Sequence, residues 1–164
     1  MIDNSKVLES AKGNPTGWAP KVTHQDGPGL QRDMPHPPSE THLPTAEGGY
    51  QAYKPAGKLQ GVKAIITGGD SGIGRAAAIM FAQESASDVL IAYLPEEEKD
   101  AQVTKKLVEQ HGAKVHLHAT DLKSAKNCKD VVDSAVKLFG GQIDVLFNNH
   151  ATQTAKDSIL DISE

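Results

Sequence analysis

The chain of 164 residues has a single cysteine, no surplus of positive charge and no long apolar run, and each lack removes a class of protein. Cys128 has no second thiol to pair with, so no internal disulfide staples a core. Its place in a helical pattern makes it an expected packing residue, and the composition suits a reducing compartment, the cytoplasm. Residues 1–58 carry six basic and six acidic side chains, and residues 59–164 carry 11 and 15. That balance offers a polyanion little to bind, so nucleic acid is not an expected partner. No stretch approaches the roughly 18 apolar residues of a membrane span. The opening MIDNSKVLES has no basic segment leading into an apolar one, so neither a signal peptide nor a membrane partner is expected.

Proline is also unevenly spread: eight of the nine prolines fall in the first 55 residues. That segment includes MPHPPSETHLP and has almost no apolar periodicity. It cannot bury enough surface to offset the entropy of ordering it. The expectation is an extended, disordered arm over residues 1–58 and a folded part over 59–164.

What is present after residue 60 is a rhythm. Short runs rich in aliphatic residues at 62–67, 88–94, 114–120 and 143–148 read as strands. Amphipathic patterns at 72 to about 84, 95–112 and 124–139 read as helices. The first is expected to bury Ile73, Ala76, Ala77, Met80 and Phe81. The second is expected to bury Ala101, Thr104, Leu107, Val108 and His111, and the third Cys128, Val131, Val132, Ala135 and Phe139. Runs such as KAII, VLIAYL and DVLF are apolar on both faces, as strands between two helix layers are. Right-handed crossovers then give an α/β fold, the N-terminal half of a Rossmann-type doubly wound parallel sheet with strand order 3-2-1-4. One face of the sheet and the edge of the fourth strand stay open, which predicts self-association.

Between the first strand and first helix lies TGGDSGIGRA. Gly68, Gly72 and Gly74 stand where a dinucleotide pyrophosphate needs a turn without side chains. Gly68 permits the turn, Gly72 admits the phosphates, Gly74 lets the helix pack on the sheet, and the helix N-terminus offers N–H groups to the anion. A glycine turn of purely structural use is the competing reading, and the strand-to-helix setting favours the nucleotide.

The segment from Thr67 through Gly68, Asp70, Ser71, Gly72 and Ile73 to Gly74 resembles the T-G-x-x-x-G-I-G fingerprint of the short-chain dehydrogenase/reductase family. Two further landmarks carry the resemblance. Asp121 with Leu122, in ATDL, is similar to the acidic position that holds the adenine amino group. NNHA, starting at Asn148, is similar to the segment that lines the cofactor site, with His150 and Ala151 departing from its small residues. YKPAGKLQGVKAIITGGDSGIGRA and IAYLPEEEKDA look like the subgroup of glucose and ribitol dehydrogenase homologues, general stress proteins and NADPH-dependent aldehyde reductases.

The resemblance implies a nicotinamide dinucleotide cofactor and a small carbonyl or polyol substrate interconverted by hydride transfer. An acid at the end of the second strand would select NAD(H), but that end reads AYLP around Tyr93, and Glu96 to Glu98 read as a helix-start cluster. NADP(H) is therefore preferred over NAD(H). The resemblance also implies a catalytic Ser, Tyr and Lys beyond residue 164, so the chain by itself is expected to be a truncated, inactive dinucleotide-binding domain. A non-catalytic nucleotide-binding or interaction module is the alternative. The one Y-x-x-x-K, from Tyr50 to Lys54, precedes the first strand among turn residues and is not expected to act. Ser158 and Ser163 read as turn and tail residues. His116 and His118 share one side of a strand, yet no further ligand completes a metal site, so none is expected.

Overall fold

The computed structural model describes residues 30–34, 38–46, 48–152, 158 and 160; the first 29 residues of the arm and Ser163 lie outside them. Strands β1 (His42–Pro44) and β2 (Tyr50–Ala52) form an antiparallel hairpin. Strands β3 (Lys63–Thr67), β4 (Asp88–Tyr93), β5 (Lys114–Ala119) and β6 (Val145–Phe147) form a four-stranded sheet in the order β5-β4-β3-β6, with every pair parallel. This is the doubly wound order expected from the crossovers. The fourth strand is shorter than the sequence suggests because β6 pairs only with β3, at Ala64 to Ile66.

Helices α1 (Gly72–Gln83) and α2 (Glu98–Glu109) cover one face of this sheet, and α3 (Ala125–Phe139) lies on the other. Strand residues alternate between the two layers. Val89, Ile91 and Tyr93 pack toward Ala78, Ile79, Ala101 and Val108, whereas Leu90 and Ala92 pack toward Val131, Ala135 and Phe139. Ile65, Ile66, Leu90 and Ile91 are fully buried, each a contribution of about 1.5–3 kcal/mol against exposure. Helix α3 starts at Ser124, whose side chain accepts the Asn127 N–H at 3.5 Å, and stops at Gly140, where φ is 74°. Val132, Val136 and Leu138 of α3 and Leu146 of β6 remain exposed.

The buried face of α1 differs from expectation. Gly74, Arg75, Ala78, Ile79 and Ala82 are buried, while Ile73 is 75% exposed. Gly74 sets the rotation, because it lies against the Gly68 carbonyl and brings the residues one and two turns later onto the sheet. A helical pattern with aliphatic residues on several faces does not announce which face wins. In α3 Cys128 and Val132 are exposed, and the Cys128 thiol instead meets the Leu122 carbonyl at 3.2 Å. His111 is exposed beyond the end of α2.

The expectation of a disordered arm is corrected over the described residues between 30 and 58. They carry the hairpin and a 3-10 turn, Gln31–Asp33, and they dock through polar groups rather than apolar ones. Glu84, at the C-terminal end of α1, is the main anchor. Its carboxylate accepts the Tyr53 hydroxyl, the Ala56 N–H at 3.1 Å and the Lys58 N–H at 2.7 Å. The Tyr53 hydrogen bond first, then the backbone N–H of Lys58, lower its pKa to about 2. Composition could not reveal this, because a glutamate that collects main-chain donors looks like any surface glutamate.

A carboxylate with a depressed pKa stabilises the fold above its unfolded value near 4.5, and that contribution is lost as pH falls toward about 2. Glu84→Gln should therefore melt below the wild type at neutral pH, and the gap should close between pH 4.5 and 2. Thermal melts of both chains across that range check it; a gap that does not change with pH refutes the role of the charge.

Candidate functional site

All four parallel strands end on the same side, and the crossovers from β3 to β4 and from β5 to β6 run over opposite faces of the sheet. A crevice at such a switch point is where doubly wound sheets bind ligands. A cleft of about 240 Å³ opens at this edge, lined by Gly68, Asp70 and Ser71 after β3, by Ala92, Tyr93 and Leu94 at the end of β4, and by Glu97. Thr120 and Leu122 after β5 and Asn149, His150 and Ala151 after β6 complete the wall.

The glycine loop is held from two sides. Toward β6, the Thr67 hydroxyl accepts the Asn149 N–H at 3.0 Å, and the Asn149 side-chain amide donates to the carbonyls of Thr67 at 3.1 Å and Gly68 at 3.0 Å. Toward α2, Arg75 is buried and donates to the Asp70 carbonyl from Nε at 3.0 Å and Nη2 at 2.7 Å. Thr104 adds its hydroxyl to the same carbonyl at 2.7 Å and accepts Arg75 Nε at 2.8 Å. Asp100 and Glu40 lie against the guanidinium at 3.5 and 3.4 Å, so the buried charge is paired.

Two glycines have no substitute here. Gly68 turns at φ 62°, and Gly74 comes so close that a Cβ would stand 2.0 Å from the Gly68 oxygen. Gly72, at φ 53°, faces open space, as room for an anion at the start of α1 requires. Its N–H already donates to Gln31 Oε1 of the arm at 2.5 Å.

Of the residues singled out in the sequence, Gly68, Asp70, Ser71, Tyr93 and Leu122 line the cleft, and buried Thr67 supports it from below. Ile73 projects outward from α1. Asp121 is exposed beside the wall, where its carboxylate accepts the Lys123 N–H at 3.0 Å. Asn148 is exposed and outside the lining, while its neighbour Asn149 does the clasping. Successive residues leaving a strand point to opposite sides, and the sequence alone does not say which asparagine turns inward. Nothing in the sequence marks Arg75 or Gln31 as part of the site, and Thr104 reads only as a packing residue of the second helix, because their partners are main-chain carbonyls and an amide, which carry no signal in the sequence.

Charge in the cleft is negative. Burial pushes the Asp70 carboxyl above its ordinary range, against the hydrogen bond from Ser71. Burial, then the nearby Asp70 charge, pushes Glu97 up as well. The Tyr93 phenol is raised by burial and by donating to Glu98. Tyr50 stands in β2 opposite Pro44, on an exposed hairpin rather than a helix, so its spacing to Lys54 aligns nothing with the cleft. His116 lies 3.2 Å from Asp88 Oδ1 and edge-on to Phe139.

The family model for short chain dehydrogenases matches residues 62–164. The chain belongs to that family. General stress protein 39 of Bacillus subtilis is 44% identical over 145 residues, 88% of this chain and 46% of that one. The chloroplastic NADPH-dependent aldehyde reductase 1 of Arabidopsis thaliana is 44% identical over 116 residues, 68% of this chain and 40% of that one. The carveol dehydrogenase structure from Mycobacterium avium, in complex with NAD, superposes with a TM-score of 0.56 at 26% identity and covers 66% of this chain and 42% of that one. The chain spans about half the length of the curated relatives it matches. It is an α/β oxidoreductase-family chain with an NAD(P)-binding Rossmann fold. No helix among the described residues is long and apolar enough to cross a membrane.

Gly74→Ala should cost about 3 kcal/mol or more, because the new methyl meets backbone rather than a movable side chain. Chemical denaturation measures this; wild-type stability in the variant would contradict the close approach of α1 to the loop.

Proposed function

We propose that the cleft holds a nicotinamide dinucleotide, with its pyrophosphate over the glycine loop, and that the chain is the cofactor-holding part of an enzyme interconverting a carbonyl and an alcohol. The observation that carries this reading is the loop geometry: positive φ at Gly68 and Gly72, open space at Gly72, and the start of α1 aimed at it. The residues fit the group. Asn149 and Arg75 keep the loop in shape without occupying it, and Leu122 gives the wall an apolar surface for a flat ring. Gln31 takes one amide at the helix start, so a phosphate there either uses the remaining amides or displaces the arm.

When bound, a nicotinamide dinucleotide supplies or accepts the hydride. What this chain contributes is placement: preorganised amides for the phosphates and a walled cleft along the strand ends. An alkoxide forming during transfer needs a proton donor within hydrogen-bond reach. Among the described residues, the cleft-lining Tyr93 is tied to Glu98 with its proton held tightly, and it is poorly suited to that task. The Arabidopsis relative supports an aldehyde as the carbonyl class. Polyol oxidation is the same chemistry in reverse.

Titration of NADH fluorescence with the chain should show saturable binding, and Gly72→Val should weaken it at least tenfold. A side chain at φ 53° is strained, and its branches would fill the space left for phosphate. Equal affinity in both proteins would remove the loop from the site. With an aldehyde and either reduced cofactor, the chain alone should show no turnover above background; activity lost on Tyr50→Phe would restore Tyr50 as a catalytic residue.

A further inference from the structure

The glycine loop is gripped on a third side, by the arm. Gln31 opens the 3-10 turn Gln31–Asp33 and is only 8% exposed, although it belongs to a polar segment without an apolar stripe. Its Oε1 accepts the Gly72 N–H at 2.5 Å, and its Nε2 donates to Glu40 Oε1 at 3.1 Å. Glu40 in turn pairs with Arg75 at 3.4 Å, and Arg32 pairs with Asp100 of α2 at 2.7 Å. Both ends of this buried amide are therefore satisfied, and the turn that carries it is fastened to α1 and α2.

Where this contact lies relative to the cleft decides what it does. On the loop side the cleft is lined by Gly68, Asp70 and Ser71, and among the described residues neither Gly72 nor Gln31 is part of its wall. The space beside the Gly72 Cα also stays open, so the arm reaches the amide without filling that space. Gly72 sits at φ 53°, a conformation open to glycine but not fixed by it. The hydrogen bond from Gln31 fixes the Gly72 peptide from outside the cleft. Ordering the loop before a ligand arrives removes an entropic cost from binding.

We infer that Gln31 is a positioning residue for the dinucleotide site: it holds the Gly72 peptide so that the loop keeps the shape that receives a pyrophosphate, and the arm and the dinucleotide bind cooperatively. The inference rests on the dinucleotide reading above. Of the two courses open to a phosphate at the start of α1, it selects use of the remaining amides over displacement of the arm. Such coupling is reciprocal, so a bound dinucleotide tightens the arm by the factor with which the arm tightens the dinucleotide.

Calorimetric titration of the full chain with NADH tests it, folding of each variant being checked by circular dichroism. Gln31→Ala should weaken binding about fivefold, the worth of one hydrogen bond. Ser39→Ala, at a side chain that bonds the His42 carbonyl within the arm, should leave the affinity unchanged. The exchange Gln31→Glu with Glu40→Gln keeps an acceptor for the Gly72 amide and a hydrogen bond between the two side chains, and should restore binding. Hydrogen exchange gives a readout that a merely stabilising arm would not move. Saturating NADH should slow exchange of the Asp33 and Met34 amides, which close the turn, in the wild type and not in Gln31→Ala. Unchanged affinity in folded Gln31→Ala, no rescue by the exchanged pair, or exchange of the turn that NADH leaves unaltered or speeds overturns the assignment while the dinucleotide site stands. Failure of the folded wild-type chain to bind NADH overturns both.

Discussion

A buried guanidinium organises this molecule. Arg75 sits at the start of α1, and its nitrogens join the glycine loop through the Asp70 carbonyl, α2 through Thr104 and Asp100, and the arm through Glu40. The arm and α2 are far from this helix in the chain, and at Arg75 they are joined to it through polar contacts. Removing the charge would take from the Asp70 carbonyl two of its donors and leave buried Asp100 with Arg32 as its remaining cation. The loop is held in shape at its carbonyls, that of Asp70 by Arg75 and Thr104 and that of Gly68 by Asn149.

The arm extends the same logic to residues that hydrophobic pattern cannot place. Between 30 and 58 almost nothing is apolar and periodic, yet Gln31, Arg32, Glu40 and Tyr53 each meet a partner on α1 or α2. Glu84 does most of this work at the far end of α1, where four donors converge on one carboxylate. The arm thus touches both ends of the helix that carries the glycine loop. Its contact at Gly72 brings it to the place where an anion would sit.

Much of the fold was legible. Four aliphatic runs, three amphipathic stretches and the glycine spacing led to the sheet order and to the side of the sheet where the cleft opens. The face of α1 was not legible, since Ile73, Ala76 and Met80 make as good a stripe as Ala78, Ile79 and Ala82. Nor was it legible that Asn149, rather than its exposed neighbour Asn148, holds the glycine loop. Glu97 looked like helix-start charge, which it also is, because its approach to the cleft depends on the 3-10 turn before α2.

By itself the sequence determined the succession of strands and helices, the turn at Gly68 and the membership of the family. Those depend on local preference and on the handedness of crossovers, which act within a few dozen residues. Tertiary structure alone decided which side of α1 is buried, which asparagine holds the loop, where the arm docks and which glutamate faces the cleft. Each of those is a choice among chemically equivalent neighbours, settled only when a close approach, such as Gly74 on the Gly68 carbonyl, sets the rotation of one element against another.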